Sequence, residues 1–142
     1  MKNILALDLG AARVGLAYAD AQIGIPLPLP YLPAQPWDAF LSALKKIVAE
    51  KSIHEIVVGL PLKMDGTSGP AAQAARQRIQ EIHAATALPV YPIDERLSTL
   101  QASRQLQAYG LPAKKQKQHL DSSAALILLQ AYLDRHQGPP QS

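Results

Sequence analysis

The chain contains no cysteine. Disulfides, cysteine nucleophiles and cysteine-ligated zinc are therefore excluded. It also lacks any run of about 20 apolar residues, the length a membrane-crossing helix needs. Asp8 interrupts the apolar start, and Gln130 and Asp134 break the last apolar stretch. The early aspartate also spoils the apolar segment of a secretory signal. The expected location is the cytoplasm, with no membrane partner. Excess charge is small as well: 14 basic against 11 acidic residues leaves +3. That balance permits a polyanionic partner without demonstrating one. No internal repeat is present. What remains is a chain of 142 residues, 48% hydrophobic, long enough to bury about two-thirds of its unfolded surface in one core. One domain over residues 1–137 is expected, with a frayed tail over 138–142.

Residues 3–9 read as a buried strand, and Val14–Ala19 returns from a tight turn at Gly10-Ala11-Ala12 as its hairpin partner. The next segment carries Pro26, Pro28 and Pro30 at every second position. Alternate N–H groups of a strand point to the same side. All three missing donors therefore fall on one rim, while Leu27, Leu29 and Tyr31 keep theirs for the other. This predicts an edge strand over residues 23–31. A polyproline linker is the alternative. Phe40, Leu41, Leu44, Ile47 and Val48 recur at helical spacing. Ile53–Leu60 reads as a strand. An alanine-rich helix then runs to about Thr86, capped by Thr67 or Ser68, with Pro70 in its first turn and Arg76, Arg78 and Glu81 outside. Val90–Ile93, with Pro92 inside it, is a second candidate edge. Leu97–Tyr109 reads as a helix stopped by Gly110 and Pro112, and Asp121 opens a last helix with Leu120, Ala124, Ile127, Leu128 and Ala131 on one face. A hairpin and an edge strand followed by strand–helix–strand units implies a mixed α/β sheet flanked by helices.

Three acidic positions stand at element ends. Asp8 lies in an apolar strand, where a carboxylate is costly unless compensated. It is either bonded to the turn N–H groups of Gly10 and Ala11, or functional. Asp94 and Glu95 follow a strand directly, and serve either as acids favouring a helix dipole or as ligands. Neighbours in an extended segment point oppositely, so only one of them shares a site with Asp8. Asp121 is a good N-cap, a role compatible with holding a cation. Taken together, Asp8 and Glu95 fall at the carboxyl ends of strands, where ligand sites of parallel sheets lie. Oxygen ligands without cysteine suit a hard cation, Mg2+ or Mn2+. Such ions orient water and stabilise the leaving oxygen in phosphodiester cleavage.

From Arg96 to Leu120 there is no acidic residue, and Arg96, Arg104, Lys114, Lys115 and Lys117 contribute +5, leaving −2 for the remainder. This local charge suits a nucleic-acid backbone. His119 reads as a surface histidine or a phosphate contact.

Four stretches, in order, resemble the YqgF (RuvX) family: Asp8-Leu9-Gly10-Ala11-Ala12-Arg13-Val14-Gly15, Val58-Gly59-Leu60-Pro61-Leu62-Lys63-Met64-Asp65-Gly66, Asp94-Glu95-Arg96-Leu97-Ser98-Thr99 and Asp121-Ser122-Ser123-Ala124-Ala125. The family comprises RNase H-like proteins described as Holliday junction resolvases and as pre-16S rRNA nucleases. The resemblance covers roughly residues 3–135. It implies a five-stranded mixed sheet in the order 3-2-1-4-5, which makes the two proline-bearing strands its edges. It also implies catalytic and metal-binding roles for Asp8, Glu95 and Asp121, with Asp94 as the secondary acidic candidate and Mg2+ or Mn2+ as cofactor. Arg13, Lys63, Arg96, Lys114, Lys115 and Lys117 are the candidate nucleic-acid contacts. Threonines frequent in the family are absent at Ala11 and Ala12, and Ser98-Thr99 stands where Thr-Thr is usual.

The expected function is a metal-dependent nuclease that processes the 5′ end of pre-16S rRNA, with the ribosomal small-subunit precursor as partner. Two alternatives stand beside it: a resolvase of branched DNA, which should dimerise to cut symmetrically, and a non-catalytic nucleic-acid-binding or ribosome-assembly factor. A monomer or a homodimer is therefore expected. A kinase sharing the first motif would need a second domain that this length does not hold.

Overall fold

The computed structural model describes residues 2–22, 24–63, 65–95 and 124–135. The expected helix over Leu97–Tyr109, the basic segment 113–119, the helix start at Asp121 and the tail lie outside the described residues. Within them the order is β1 (Ile4–Leu9), β2 (Arg13–Ala19), β3 (Pro26–Pro33), α1 (Trp37–Glu50), β4 (Glu55–Leu60), α2 (Pro70–Thr86) and β5 (Val90–Asp94), followed by a helix over residues 124–135. The strands form one five-stranded sheet in the order β3-β2-β1-β4-β5. β1 runs antiparallel to β2 and parallel to β4, and β4 runs parallel to β5.

The period-2 alternation of each strand divides the core in two. Leu5, Leu7, Val14, Leu16, Ile56 and Val58 pack with Phe40 and Leu44 of α1 and Ile82 of α2. Ala6, Ala17, Ala19, Val57 and Ile93 pack on the other face with Leu128, Leu129, Tyr132 and Leu133. β1 and β2 set Leu5, Leu7 and Leu16 on the first face and the smaller Ala6, Ala17 and Ala19 on the second, under the 124–135 helix. Its buried residues are Ala124, Ala125, Leu128, Leu129, Tyr132 and Leu133. This corrects the expected stripe, because Ile127 and Ala131 are only partly buried. β4 is buried along its whole length, as a central strand covered on both sides should be.

Both proline-bearing strands are edges, and the polyproline alternative for the first does not hold. β3 pairs with β2 through Leu27↔Tyr18 and Leu29↔Leu16, then shifts register so that Leu32 faces Val14 and Pro33 faces Arg13. Without that shift Pro33 would fall on the inner side, where a donor is needed. With it, Pro26, Pro28 and Pro33 all take outward positions. In β5 the parallel register sets Val90, Pro92 and Asp94 outward, which removes the middle donor of the opposite rim.

The expected cap of α2 is also corrected. Gly69 occupies the N-cap, with Pro70 at the first helical position. Thr67 and Ser68 are committed elsewhere: Thr67 donates from its N–H and Oγ1 to Asp65 Oδ1 at 2.9 and 2.6 Å, and Arg76 donates to Ser68 Oγ.

Candidate active site

The turn that ends β1 requires glycine. Gly10 N–H donates to Arg13 O at 2.9 Å, and a Cβ on Gly10 would lie 2.5 Å from that oxygen. The two-residue loop Ala11–Ala12 thus folds β2 back on β1, with Asp8 opposite Gly15. On its other side β1 runs in register with β4 as far as Leu7↔Val58. One step further along the same register brings Asp8 beside Gly59, and Gly59 in turn pairs with Ile93. Asp8, Gly59 and the end of β5 therefore form one row across the carboxyl ends of three parallel strands.

Side-chain parity assigns the faces. Asp8 follows Ile4 and Ala6, on the face covered by the 124–135 helix. Glu95 is directed to the same place: a Cβ on Gly59 would lie 2.9 Å from Glu95 Oε1 and 2.8 Å from Leu128 Cδ1. Glycine at position 59 leaves room for both. Asp94 has the opposite parity, although the cavity it lines is walled by Ile4, Ile93, Tyr132 and Leu133 of the 124–135-helix face. Asp8 and Glu95 line another, of about 390 Å3, at the end of the sheet, and its further walls come from α1 and α2. The structure thus brings together Asp8 and Glu95 and separates Asp94 from them. Asp121, Arg96, Lys114, Lys115 and Lys117 lie outside the described residues.

Arg13 is partly buried at the start of β2, its guanidinium carbon 5.0 Å from the ring centre of Tyr31. Lys63 lies exposed on the loop after β4. Its stem crosses Gly69, where a Cβ would meet Lys63 Cε at 2.8 Å.

The walls of the Asp8–Glu95 cavity include groups the sequence pattern did not single out. Ala71, Ala74, Ala75 and Arg78 of α2 line it, with Gln35 and Trp37. Arg78 is therefore turned to the cavity rather than simply outward. The signal was present in the spacing 71, 74, 75 and 78, one stripe of a helix, but alanines on every side of α2 hid it.

A second polar group was not foreseen. Glu55, 6% exposed at the start of β4, accepts a hydrogen bond from Tyr132 Oη at 3.1 Å and pairs with Lys2 Nζ at 3.6 Å. Burial, reinforced by the Glu55 carboxylate, pushes the Tyr132 hydroxyl up to about 12.

Carboxylate oxygens converging on one cavity are donors of the type a hard divalent cation takes. Among the described residues there is no cluster of three acidic or histidine groups; the cavity brings together two carboxyl groups, those of Asp8 and Glu95.

A sheet of this order, with two carboxylates at the carboxyl ends of its parallel strands, defines an RNase H-like domain. The chain belongs to the RuvX family, described as Holliday junction resolvase, whose profile matches residues 2–135. It is 38% identical over 138 residues to a protein of Chloroflexus aggregans named "Putative pre-16S rRNA nuclease", covering 97% of each chain. A protein of the same name from Anaeromyxobacter sp. (strain Fw109-5) is 41% identical over 133 residues, covering 93% of this chain and 97% of the relative. Among solved structures, Thermus thermophilus RuvC in complex with a Holliday junction substrate superposes with a TM-score of 0.58 at 12% identity, covering 97% of both chains.

Proposed function

We propose that the chain is a divalent-metal-dependent nuclease that hydrolyses phosphodiester bonds in structured RNA, with the 5′ end of pre-16S rRNA as its substrate. The observation that carries this reading is the convergence of Asp8 and Glu95, from β1 and the end of β5, on one cavity. Relatives named for pre-16S rRNA support the choice of RNA. Asp8 and Glu95, with Asp121, are the residues proposed to hold Mg2+ or Mn2+. When bound, such an ion orients water and stabilises the leaving oxygen. The chain's own part is to fix the carboxylates. The Gly10–Arg13 turn sets the end of β1, and Gly59 admits the Glu95 side chain over β4. Arg13, Lys63, Arg96, Lys114, Lys115 and Lys117 are proposed to neutralise backbone phosphates.

The test is cleavage of a labelled precursor RNA spanning the mature 5′ end, in Mn2+, with a four-way DNA junction in parallel. Asp8→Asn and Glu95→Gln are expected to lower kcat by on the order of 100-fold or more, while Asp94→Asn retains most of it. Equal cleavage by the parent and Asp8→Asn would overturn the assignment. Cutting of the junction with the RNA left intact would replace RNA by branched DNA as the substrate.

A further inference from the structure

The cavity that holds Asp8 and Glu95 also has a cation in its wall. Arg78 lines it from α2. Its guanidinium carbon lies 4.1 Å from the ring centre of Trp37, and that ring stacks in turn on Phe40, with centroids 4.8 Å apart. Phe40 is 2% exposed, so the stack is anchored in the core. Glu81 Oε1 accepts from Arg78 Nη1 at 3.1 Å. Arginine has five N–H donors in a flat fork. Its one polar partner among the described residues is Glu81, which leaves most of that fork for another ligand. Packing holds the group in place without using up its donors.

A second observation in the same wall agrees. Trp37 Nε1 is buried and has no hydrogen-bond partner among the described residues. A buried donor left without an acceptor is costly, so this wall of the cavity, which Trp37 also lines, holds a polar group that the described residues leave unsatisfied. Two carboxylates with a preorganised guanidinium form a cavity of mixed sign. A metal ion and a phosphate together match it better than a metal ion or a neutral ligand would.

We propose that Arg78, held over the Trp37 ring, binds the backbone phosphate of the nucleic-acid strand beside the bond cut at Asp8 and Glu95. This rests on the nuclease reading above and adds to it the group that receives the phosphate. A planar fork suits two phosphate oxygens at once, which a lysine does not reproduce. The role belongs to substrate binding and to charge stabilisation as the phosphate reacts.

The experiment compares parent, Arg78→Ala, Arg78→Gln and Glu81→Gln in the Mn2+-dependent cleavage of the precursor RNA, with thermal unfolding as a check on folding. Removing one preorganised donor at a reacting phosphate lowers the rate on the order of 100-fold, and a fall of that order in kcat/KM is expected for Arg78→Ala. Added guanidinium ion should return part of the lost rate to Arg78→Ala, and leave the parent and Glu81→Gln unchanged. A purely structural role would not respond to the free ion. Should Arg78→Ala lose cooperative unfolding, Arg78→Gln decides the matter through the same fall and the same rescue. A variant that cuts as fast as the parent, or a loss that guanidinium does not restore and Glu81→Gln reproduces, overturns the proposal and leaves the nuclease standing. A parent that cuts neither the RNA nor branched DNA overturns both.

Discussion

Gly59 is where backbone and chemistry meet at the smallest scale. Its missing side chain is the space into which Glu95 and Leu128 fit. Gly59→Ala should displace one or both. The expected outcome is a stability loss of about 1–3 kcal/mol, read from urea unfolding, together with a fall in kcat larger than that loss explains. Gly10→Ala should cost a similar amount, because its Cβ would meet Arg13 O at 2.5 Å and the Gly10–Arg13 hydrogen bond would have to open. A Gly10→Ala variant with an unchanged urea midpoint would show that the turn relaxes freely. The sequence made some of this legible. The opposite parity of Asp94 and Glu95 follows from the extended chain, and the two residues line different cavities. Nothing in the sequence showed that Glu95 lies above Gly59, because that contact joins the end of β5 to a strand 30-odd residues earlier through a register only the fold sets. Glu55 was hidden for the same reason: its partner Tyr132 arrives from another face of the molecule.

At the scale of elements, edges were easier to read than faces. Alternating prolines identify which rim of β3 is the outer one. The register shift between Val14 and Leu16 left no signal of its own, although it is what turns Pro33 outward. α2 was the hardest element. Its first turns are nearly all alanine, so the contrast that reveals a buried stripe is weak there, and Arg78 looked like an ordinary surface cation. The end of that helix carries its own prediction. Ala87 closes α2 in the left-handed region at φ 60°, donating its N–H to His83 O. Glycine takes this conformation without the Cβ penalty, so Ala87→Gly should stabilise the protein by about 0.5–1 kcal/mol. A lower melting temperature for this variant would refute the argument. On the 124–135 helix, Leu128→Ala removes a side chain with no exposure and should cost about 2–5 kcal/mol in urea unfolding. It also removes one of the two neighbours of Gly59, so Glu95 should lose position as well.

Across the whole molecule, the acidic cavity and the Glu55–Tyr132 pair stand at opposite ends of the sheet. The carboxyl ends of β1 and β5 carry the proposed chemistry, and the first residue of β4 carries a buried carboxyl group. The pair gives the protein a defined alkaline limit. The Tyr132 hydroxyl titrates near 12 in the folded chain against an ordinary 10.0. Between those values the unfolded chain has lost a proton that the folded chain keeps, so stability falls as pH rises through that window. Below pH 10 the contribution is complete. Of the five tyrosines, one should lag in an absorbance titration, and Tyr132→Phe should remove both the lag and that part of the alkaline destabilisation. If all five titrate together, the burial of this hydroxyl is not as described.

The prolines on the two outer strands bear on how two copies could meet. A symmetric pair that joined its sheets strand to strand would need free donors along β3 or β5, and Pro26, Pro28, Pro33 and Pro92 take the outward positions there. Strand-to-strand pairing is therefore blocked along β3 and interrupted at the middle of β5, where Val90 and Asp94 keep outward donors. A two-fold partner that approached over helices would set the distance between the two acidic cavities by helix packing, and a continuous ten-stranded sheet would then have no part in placing two coordinated cuts.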